Sequence, residues 1–381
     1  MMPPAPERTP SFTASHLSPM LFSRLPLLLL VIAVLSGCTA SRRILLNAPG
    51  YSDQFRFDAI TVPPAAEPFA FHMPQSDPQL GDRVKVLNAV LGFEPASLTE
   101  RLVHSNTQAF LVIRNDSLLY EFYGQGLTAE DPMTSFSVAK TFVGYLVGVG
   151  LQEGFIGSLS DPVQRYLPAF PLSDVTLDHL LNHTSGIDFP ADGWQYYTKN
   201  LARLPEKVQG YRRPPGTGWR YENGNSQLLA MVLETASGES MSELLASRIW
   251  QRIGTEDAAR WSEDGHGMVK AFCCLNARAI DFARFGRLML RLGDWDGEQL
   301  VPRDYLVEAA KGDTKEGRYV RYKRQQWLEN EAAGIYLANG LYGQYIYIYP
   351  AKNLMIVRFA KEGAHVHAIW SELLQTVIEQ L

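Results

Sequence analysis

The stretch Ser137-Val138-Ala139-Lys140-Thr141-Phe142-Val143-Gly144-Tyr145-Leu146-Val147-Gly148-Val149-Gly150-Leu151 decides how this chain is read. Its pattern predicts a helix from Ser137 to Glu153 that stops at Gly154. The helix is apolar on nearly every side, as a central buried helix is. Apart from the Tyr145 phenol, Lys140 is its only ionisable group before Glu153. A lone cation there is costly unless something pairs with it or takes its proton. Residues three apart share a helix face, so the Ser137 hydroxyl and the Lys140 amine can meet. A serine at a helix N-terminus also feels the positive end of the dipole, which favours a developing alkoxide. Burial pushes an amine toward its neutral form, a competent base. Taken alone the signal is weak, since Ser-x-x-Lys arises by chance about once in a chain this long. A capping serine with a snorkelling lysine gives the same letters.

A second element is Tyr221-Glu222-Asn223, the only Tyr-x-Asn among the 17 tyrosines. It lies in a glycine-rich loop ahead of a helix. A tyrosine beside a lysine can hold a proton between nucleophile and leaving group, and a nearby ammonium lowers its pKa. The Asn223 amide can bond both Lys140 and a substrate amide. A turn tyrosine packed against Trp219 is the plainer alternative.

Between the two lies Leu180-Leu181-Asn182-His183-Thr184-Ser185-Gly186-Ile187. This order resembles the serine β-lactamase and penicillin-binding-protein superfamily, in its class C β-lactamase and esterase branch. Asn276–Leu290 resembles the helix that follows the tyrosine loop there, and Tyr342–Ala360 resembles the closing β-hairpin. The resemblance covers roughly residues 85–381. It implies an α/β fold, an antiparallel sheet flanked by helices plus an all-helical domain, with the site in the cleft between. It implies Ser137 as the acylated nucleophile and Lys140 as its proton partner. Tyr221 would be the general base that later protonates the leaving group, with Asn223 in support. An oxyanion hole would use the backbone N–H of Ser137 and one near Gly340–Leu341. No cofactor is implied. Which of Lys140 and Tyr221 acts first as base stays open.

One departure bears on substrate. Class C β-lactamases carry Lys-Thr-Gly on the strand leading into the closing hairpin, and here that place holds Ala338-Asn339-Gly340. Gly340 can match the glycine and leave room for substrate, but the cation is absent. Lys-Glu-Gly occurs at 315–317 and 361–363, out of register in both cases. A β-lactam or a D-Ala-D-Ala peptide brings a carboxylate that wants a cation at that strand. The ending looks closer to the esterases and 6-aminohexanoate-dimer hydrolases of the superfamily. The expected activity is hydrolysis of a small-molecule ester or amide through an acyl-serine. The alternatives are a peptidoglycan DD-carboxypeptidase, a class C-like β-lactamase, or a penicillin-binding sensor that acylates without turnover. Trp194, Tyr196, Tyr197 and Tyr211 could roof an apolar acyl pocket or simply pack the helical domain.

The rest of the sequence sets bounds. The chain has 381 residues, 46% hydrophobic and 20% charged, which is a folded globular protein. Its 35 Lys+Arg against 40 Asp+Glu leave a net charge of −5, with no basic surplus for nucleic acid. Three cysteines, at 38, 273 and 274, match no disulfide framework or zinc spacing. Cys273 and Cys274 read as two buried thiols, with a vicinal disulfide the alternative. His179 and His183 are four apart without a glutamate after the first, so no metal site is expected and His183 reads as structural. The absence of Gly-x-Ser-x-Gly removes the α/β-hydrolase elbow, and no phosphate loop is present.

Leu21–Cys38 has one cation, an apolar run and small residues before the cysteine, which is the layout of a secretory signal. Leu35-Ser36-Gly37-Cys38 resembles the bacterial lipobox, which implies lipid on Cys38 and a membrane tether. Thr39 in place of Asp favours the outer membrane, facing the periplasm. Residues 1–37 are read as the signal region, with Met20 as a tidier start, and 38–84 as tether and wrapping segment. Removing Glu7, Arg8 and Arg24 with the leader takes the net charge from −5 to −6. Residues 85–381 form the hydrolase domain, with a helical subdomain over about 158–290. The oligomeric state is not legible.

Overall fold

Near-continuous apolar runs build the central sheet, because successive strand side chains point to opposite faces and both faces are buried. The computed structural model describes residues 52, 55–73, 79–88, 93–361 and 367–380. Cys38 and the leader 1–37 lie outside the described residues. Strand β1 (Ala59–Val62) precedes a hairpin of β2 (Thr107–Arg114) and β3 (Ser117–Tyr123). Strand β4 (Pro132–Thr134) and helix α1 (Ala139–Glu153) follow. Next come α2 (Leu177–Leu181), α3 (Asp192–Tyr197) and α4 (Asn223–Ser237). Strands β5 (Ala259–Ser262) and β6 (Leu275–Arg278) lead into α5 (Ala279–Leu290). The chain closes through β7 (Tyr322–Lys323), β8 (Gln326–Asn330), β9 (Ile335–Gly340), β10 (Gln344–Tyr349), β11 (Leu354–Ala360) and α6 (His367–Glu379).

Seven strands form one antiparallel sheet in the order β7-β8-β9-β10-β11-β2-β3. The late strand β11 is zipped to the early strand β2, with Met355 opposite Ile113 and Val357 opposite Leu111. Phe110, Val112, Tyr345, Tyr347, Leu354 and Ile356 pack on one face against Trp370, Leu374 and Val377 of α6. Leu111, Ile113, Ile346, Ile348, Met355 and Val357 point the other way, into the main core with Phe142 and Phe285. Helices cover both faces, so the inner strands are apolar at nearly every position. This is the mixed α/β architecture that the sequence implied.

A second, four-stranded sheet in the order β1-β5-β6-β4 corrects two expectations. The stretch 158–290 is not purely helical, because β5 and β6 run through it. The segment 38–84 is more than a wrap, because Ala59–Val62 is a full strand paired to Ala259–Ser262. Strand β4 hangs on the edge of this sheet and delivers the chain to the start of α1.

Helix α1 runs through the centre of the molecule. Its last residue is capped by Gly154 at φ 83°, which glycine adopts without steric cost. Phe142 stacks on Phe285 of α5 with ring centroids 3.7 Å apart. Full burial of each such side chain contributes roughly 1.5–3 kcal/mol. A Cβ on Gly144 would come within 2.5 Å of the Arg324 carbonyl, so a glycine is needed where β7 and its turn press on the helix.

Candidate active site

From Met133 to Gly150 every residue is buried except Ser137, which is partly exposed. It sits in a short 3-10 turn, Phe136–Val138, that leads into α1. Phe136 has φ 43°, a left-handed conformation that costs a bulky residue about 1–3 kcal/mol. Its ring is held edge-on to Tyr342 at 5.1 Å. This sharp turn lifts one hydroxyl out of an otherwise closed core.

Lys140 is 1% exposed, one helical turn below Ser137. Its Nζ lies 3.0 Å from Ser137 Oγ, 2.8 Å from Asn223 Oδ1 and 2.7 Å from the Phe272 carbonyl oxygen. The last two are carbonyl oxygens and can only accept. They fix two N–H groups of the amine and leave its third direction toward a hydroxyl that can give as well as take. Burial lowers the Lys140 pKa to about 7, against the opposing pull of Asp192. A neutral amine fits this geometry, donating twice and presenting its lone pair to Ser137.

Tyr221 is partly buried, its ring centroid 4.9 Å from Lys140 Nζ and its phenol bonded to Ser137. Burial raises its pKa, the Ser137 bond lowers it in part, and the Asp192 charge raises it further. The expectation that an ammonium lowers it is therefore corrected. Burial keeps the phenol protonated and able to donate.

The Tyr221 ring rests on His183, with centroids 4.6 Å apart. His183 Nδ1 accepts the Glu222 backbone N–H and the Asn225 side-chain amide, both at 3.0 Å. Its Nε2 then carries the proton, 3.0 Å from the Tyr322 hydroxyl. Burial, helped by Lys140, holds the ring neutral with its pKa well below 6.5. The role is structural, as expected, and specific: His183 is the post on which Tyr221 stands. His179 points elsewhere, its Nδ1 accepting the Thr176 backbone N–H at 3.2 Å.

Two neighbours escaped the sequence reading. Asp192, on α3, bonds the Asn223 side chain and senses Lys140; burial raises its pKa while those two lower it. Its only sequence signal was being the one acid between Phe189 and Thr198. The other is the Phe272 carbonyl, a backbone group with no signature of its own. Next to it, Cys273 and Cys274 are joined by a disulfide rather than standing as two thiols. The left-handed turn at Cys274, φ 69°, brings the adjacent side chains together.

Of the two readings of the aromatic cluster, packing away from the site describes all but one member. Only Tyr196 reaches the site, packed on Phe272 at 5.0 Å and bonded to Asn223. Tyr197 packs on Phe57, Tyr211 donates to Asp174, and Trp194 joins the core. The aromatic wall beside Tyr221 is instead Trp219, Tyr322 and Trp327, continued by Tyr319. Gly340 ends β9 against the nucleophile turn, where a Cβ would come 2.5 Å from the Ser135 carbonyl. Its smallness serves that backbone contact. Leu341 follows, 41% exposed, its carbonyl accepting Gln344 Nε2 at 3.0 Å. Ala338, at the place of the family's strand lysine, is fully buried.

Fold and constellation together define a serine hydrolase of β-lactamase type. The chain belongs to the Beta-lactamase family, whose profile matches residues 97–365. It is 26% identical over 318 residues to the 6-aminohexanoate-dimer hydrolase of Paenarthrobacter ureafaciens, covering 74% of this chain and 81% of that one. A solved Bacillus anthracis structure assigned to the same class superposes with a TM-score of 0.77 at 25% identity. That match covers 87% of this chain and 92% of the other. Esterase EstB of Burkholderia gladioli is 30% identical over 199 residues, 43% of this chain and 49% of that enzyme.

Proposed function

We propose that the chain hydrolyses small linear amides and esters through an acyl enzyme on Ser137. The observation that carries this reading is the hydrogen-bond set of Lys140, with two obligate acceptors and one hydroxyl. Neutral Lys140 takes the Ser137 proton as Oγ attacks the substrate carbonyl. The developing oxyanion is met by the N–H groups of Ser137 and Leu341. Tyr221, kept protonated by burial, gives its proton to the departing nitrogen or oxygen. The Lys140 ammonium then restores the phenol. Water attacks the acyl group by the reverse path, and Ser137 regains its proton from Lys140.

The reading favours linear substrates over β-lactams because the strand offers Ala338 where a substrate carboxylate would need a cation. Relatives named for amide and ester hydrolysis point the same way. The lipobox reading of Leu35–Cys38 adds a proposed setting, an enzyme tethered by lipid on Cys38 to the outer membrane and facing the periplasm.

The test compares p-nitrophenyl butyrate, the linear 6-aminohexanoate dimer and nitrocefin on Thr39–Leu381, with Ser137→Ala beside it. Turnover of ester or amide that vanishes in the variant, with nitrocefin inert, is the expected result. Nitrocefin hydrolysis, or a stable penicilloyl adduct without turnover, would overturn it in favour of a β-lactamase or a peptidoglycan-directed protein.

A further inference from the structure

A disulfide between neighbours in sequence closes no long loop, so it adds little by restricting the unfolded chain. What it fixes is the backbone around itself. Phe272, Cys273 and Cys274 are all fully buried. Cys274 has φ 69°, in the left-handed region that a side chain with a Cβ avoids. The flanks are pinned from several sides. The Ala271 N–H donates to Gln227 Oε1 at 3.1 Å, and the Cys273 N–H to the Lys270 carbonyl at 2.9 Å. Trp261 Nε1 donates to the Cys273 carbonyl at 3.0 Å. The Cys274 carbonyl accepts from the Ser262 N–H and from Asn276 Nδ2, both at 3.0 Å. One carbonyl in this stretch is turned the other way: Phe272 O, 2.7 Å from Lys140 Nζ.

We propose that the Cys273–Cys274 bond is a positioning pair for Lys140. By holding the left-handed turn at Cys274 it aims the Phe272 carbonyl at the amine. This rests on Lys140 being the base of the proposed hydrolase. Without the ring, Cys274 relaxes toward negative φ, the carbonyl swings off Nζ, and the lone pair is no longer directed at Ser137. The charged amine loses more from that than the neutral one, because charge-assisted hydrogen bonds are the stronger. The amine then gives up its proton at lower pH while working less well as a base. The other groups facing it are Asp192 from α3, His183 from the loop after α2, and Tyr221 and Asn223 at the start of α4. None of these is altered by changing the cysteines.

The experiment uses the full chain and reads the rate at which a fluorophosphonate labels Ser137, from pH 5 to pH 9. Wild type is compared with Cys273→Ser/Cys274→Ser and Cys273→Ser/Cys274→Gly, with melting temperatures measured for each. Glycine adopts the positive φ freely, so it can replace the ring. The Ser/Ser variant is expected to label about tenfold more slowly at its plateau, with its acid limb moved to lower pH. The Ser/Gly variant is expected to recover most of the rate. Under non-reducing conditions the wild-type peptide holding both cysteines should be two hydrogens lighter than its dithiol form. Unchanged rate and limb in Ser/Ser, a Ser/Gly variant as slow as Ser/Ser, or a dithiol peptide would each overturn the proposal. So would loss of folding in both variants, which would make the bond a support of the fold alone. Wild-type Ser137 that takes no label would instead defeat the hydrolase reading itself.

Discussion

Lys140 and Arg287 are both buried cations, yet Arg287 lies between two carboxylates while Lys140 faces three neutral oxygens. Arg287 bonds Asp116 at 2.9 and 3.0 Å and Asp296 at 2.6 Å. Its guanidinium lies over the rings of Phe69 and Trp295 at 4.4 and 4.2 Å. Burial pulls its pKa down, but the two carboxylates more than restore it. Lys140 feels Asp192 only through space, so burial prevails and the amine sits near 7. A buried cation given counter-charges is scaffold. One given only dipoles, beside a hydroxyl, is a reagent.

That contrast can be broken at several points. Ser137→Ala should abolish hydrolysis of every substrate, measured as product release at pH 8. Lys140→Met should lower kcat by about a thousandfold or more, while stability shifts by less than about 1 kcal/mol. The small shift follows because relief of a buried cation is offset by two carbonyls left without donors. Lys140→Arg should not rescue, since a guanidinium keeps its proton. Tyr221→Phe should cost about a hundredfold on amides and less on nitrophenyl esters, whose leaving group needs no proton. Equal losses on both would remove Tyr221 from leaving-group protonation.

The pH dependence sharpens the comparison further. Below about 7 the base is protonated, so log kcat/KM should fall with unit slope. The sign for stability follows from the same group. The unfolded chain holds that proton up to about 10.5, so Lys140 makes the fold more stable as pH rises from about 7 to 10.5. Arg287→Met should do the opposite of Lys140→Met. Unfolding free energy should drop by about 2 kcal/mol, with activity per folded molecule unchanged.

Much of this was legible in sequence because local patterns carried it. The apolar run after Ser137, the glycine stop at 154 and the near-continuous apolar runs of Gln344–Tyr349 and Leu354–Ala360 each encode one element. Ser137, Lys140, Tyr221 and Asn223 were found by spacing, and the fold brings all four together. What escaped depends on pairing across the chain. Ala59–Val62 is a strand only because Ala259–Ser262 lies beside it. The Phe272 carbonyl has no side-chain identity to read, and Asp192 gains meaning only from Asn223 and Lys140. The Tyr221 pKa was misjudged because charge was weighed without burial, and burial dominates.

The central claim is that Lys140 works as a neutral base, and NMR titration of lysines carrying 13C at Cε tests it most directly. Lys140→Met identifies the resonance by its disappearance. A midpoint near 7, moved by removal of Phe272–Lys140 alignment but not by Arg287→Met, is the predicted result. A midpoint above about 9, close to an ordinary lysine, would contradict the account and leave the proton of Ser137 without its acceptor.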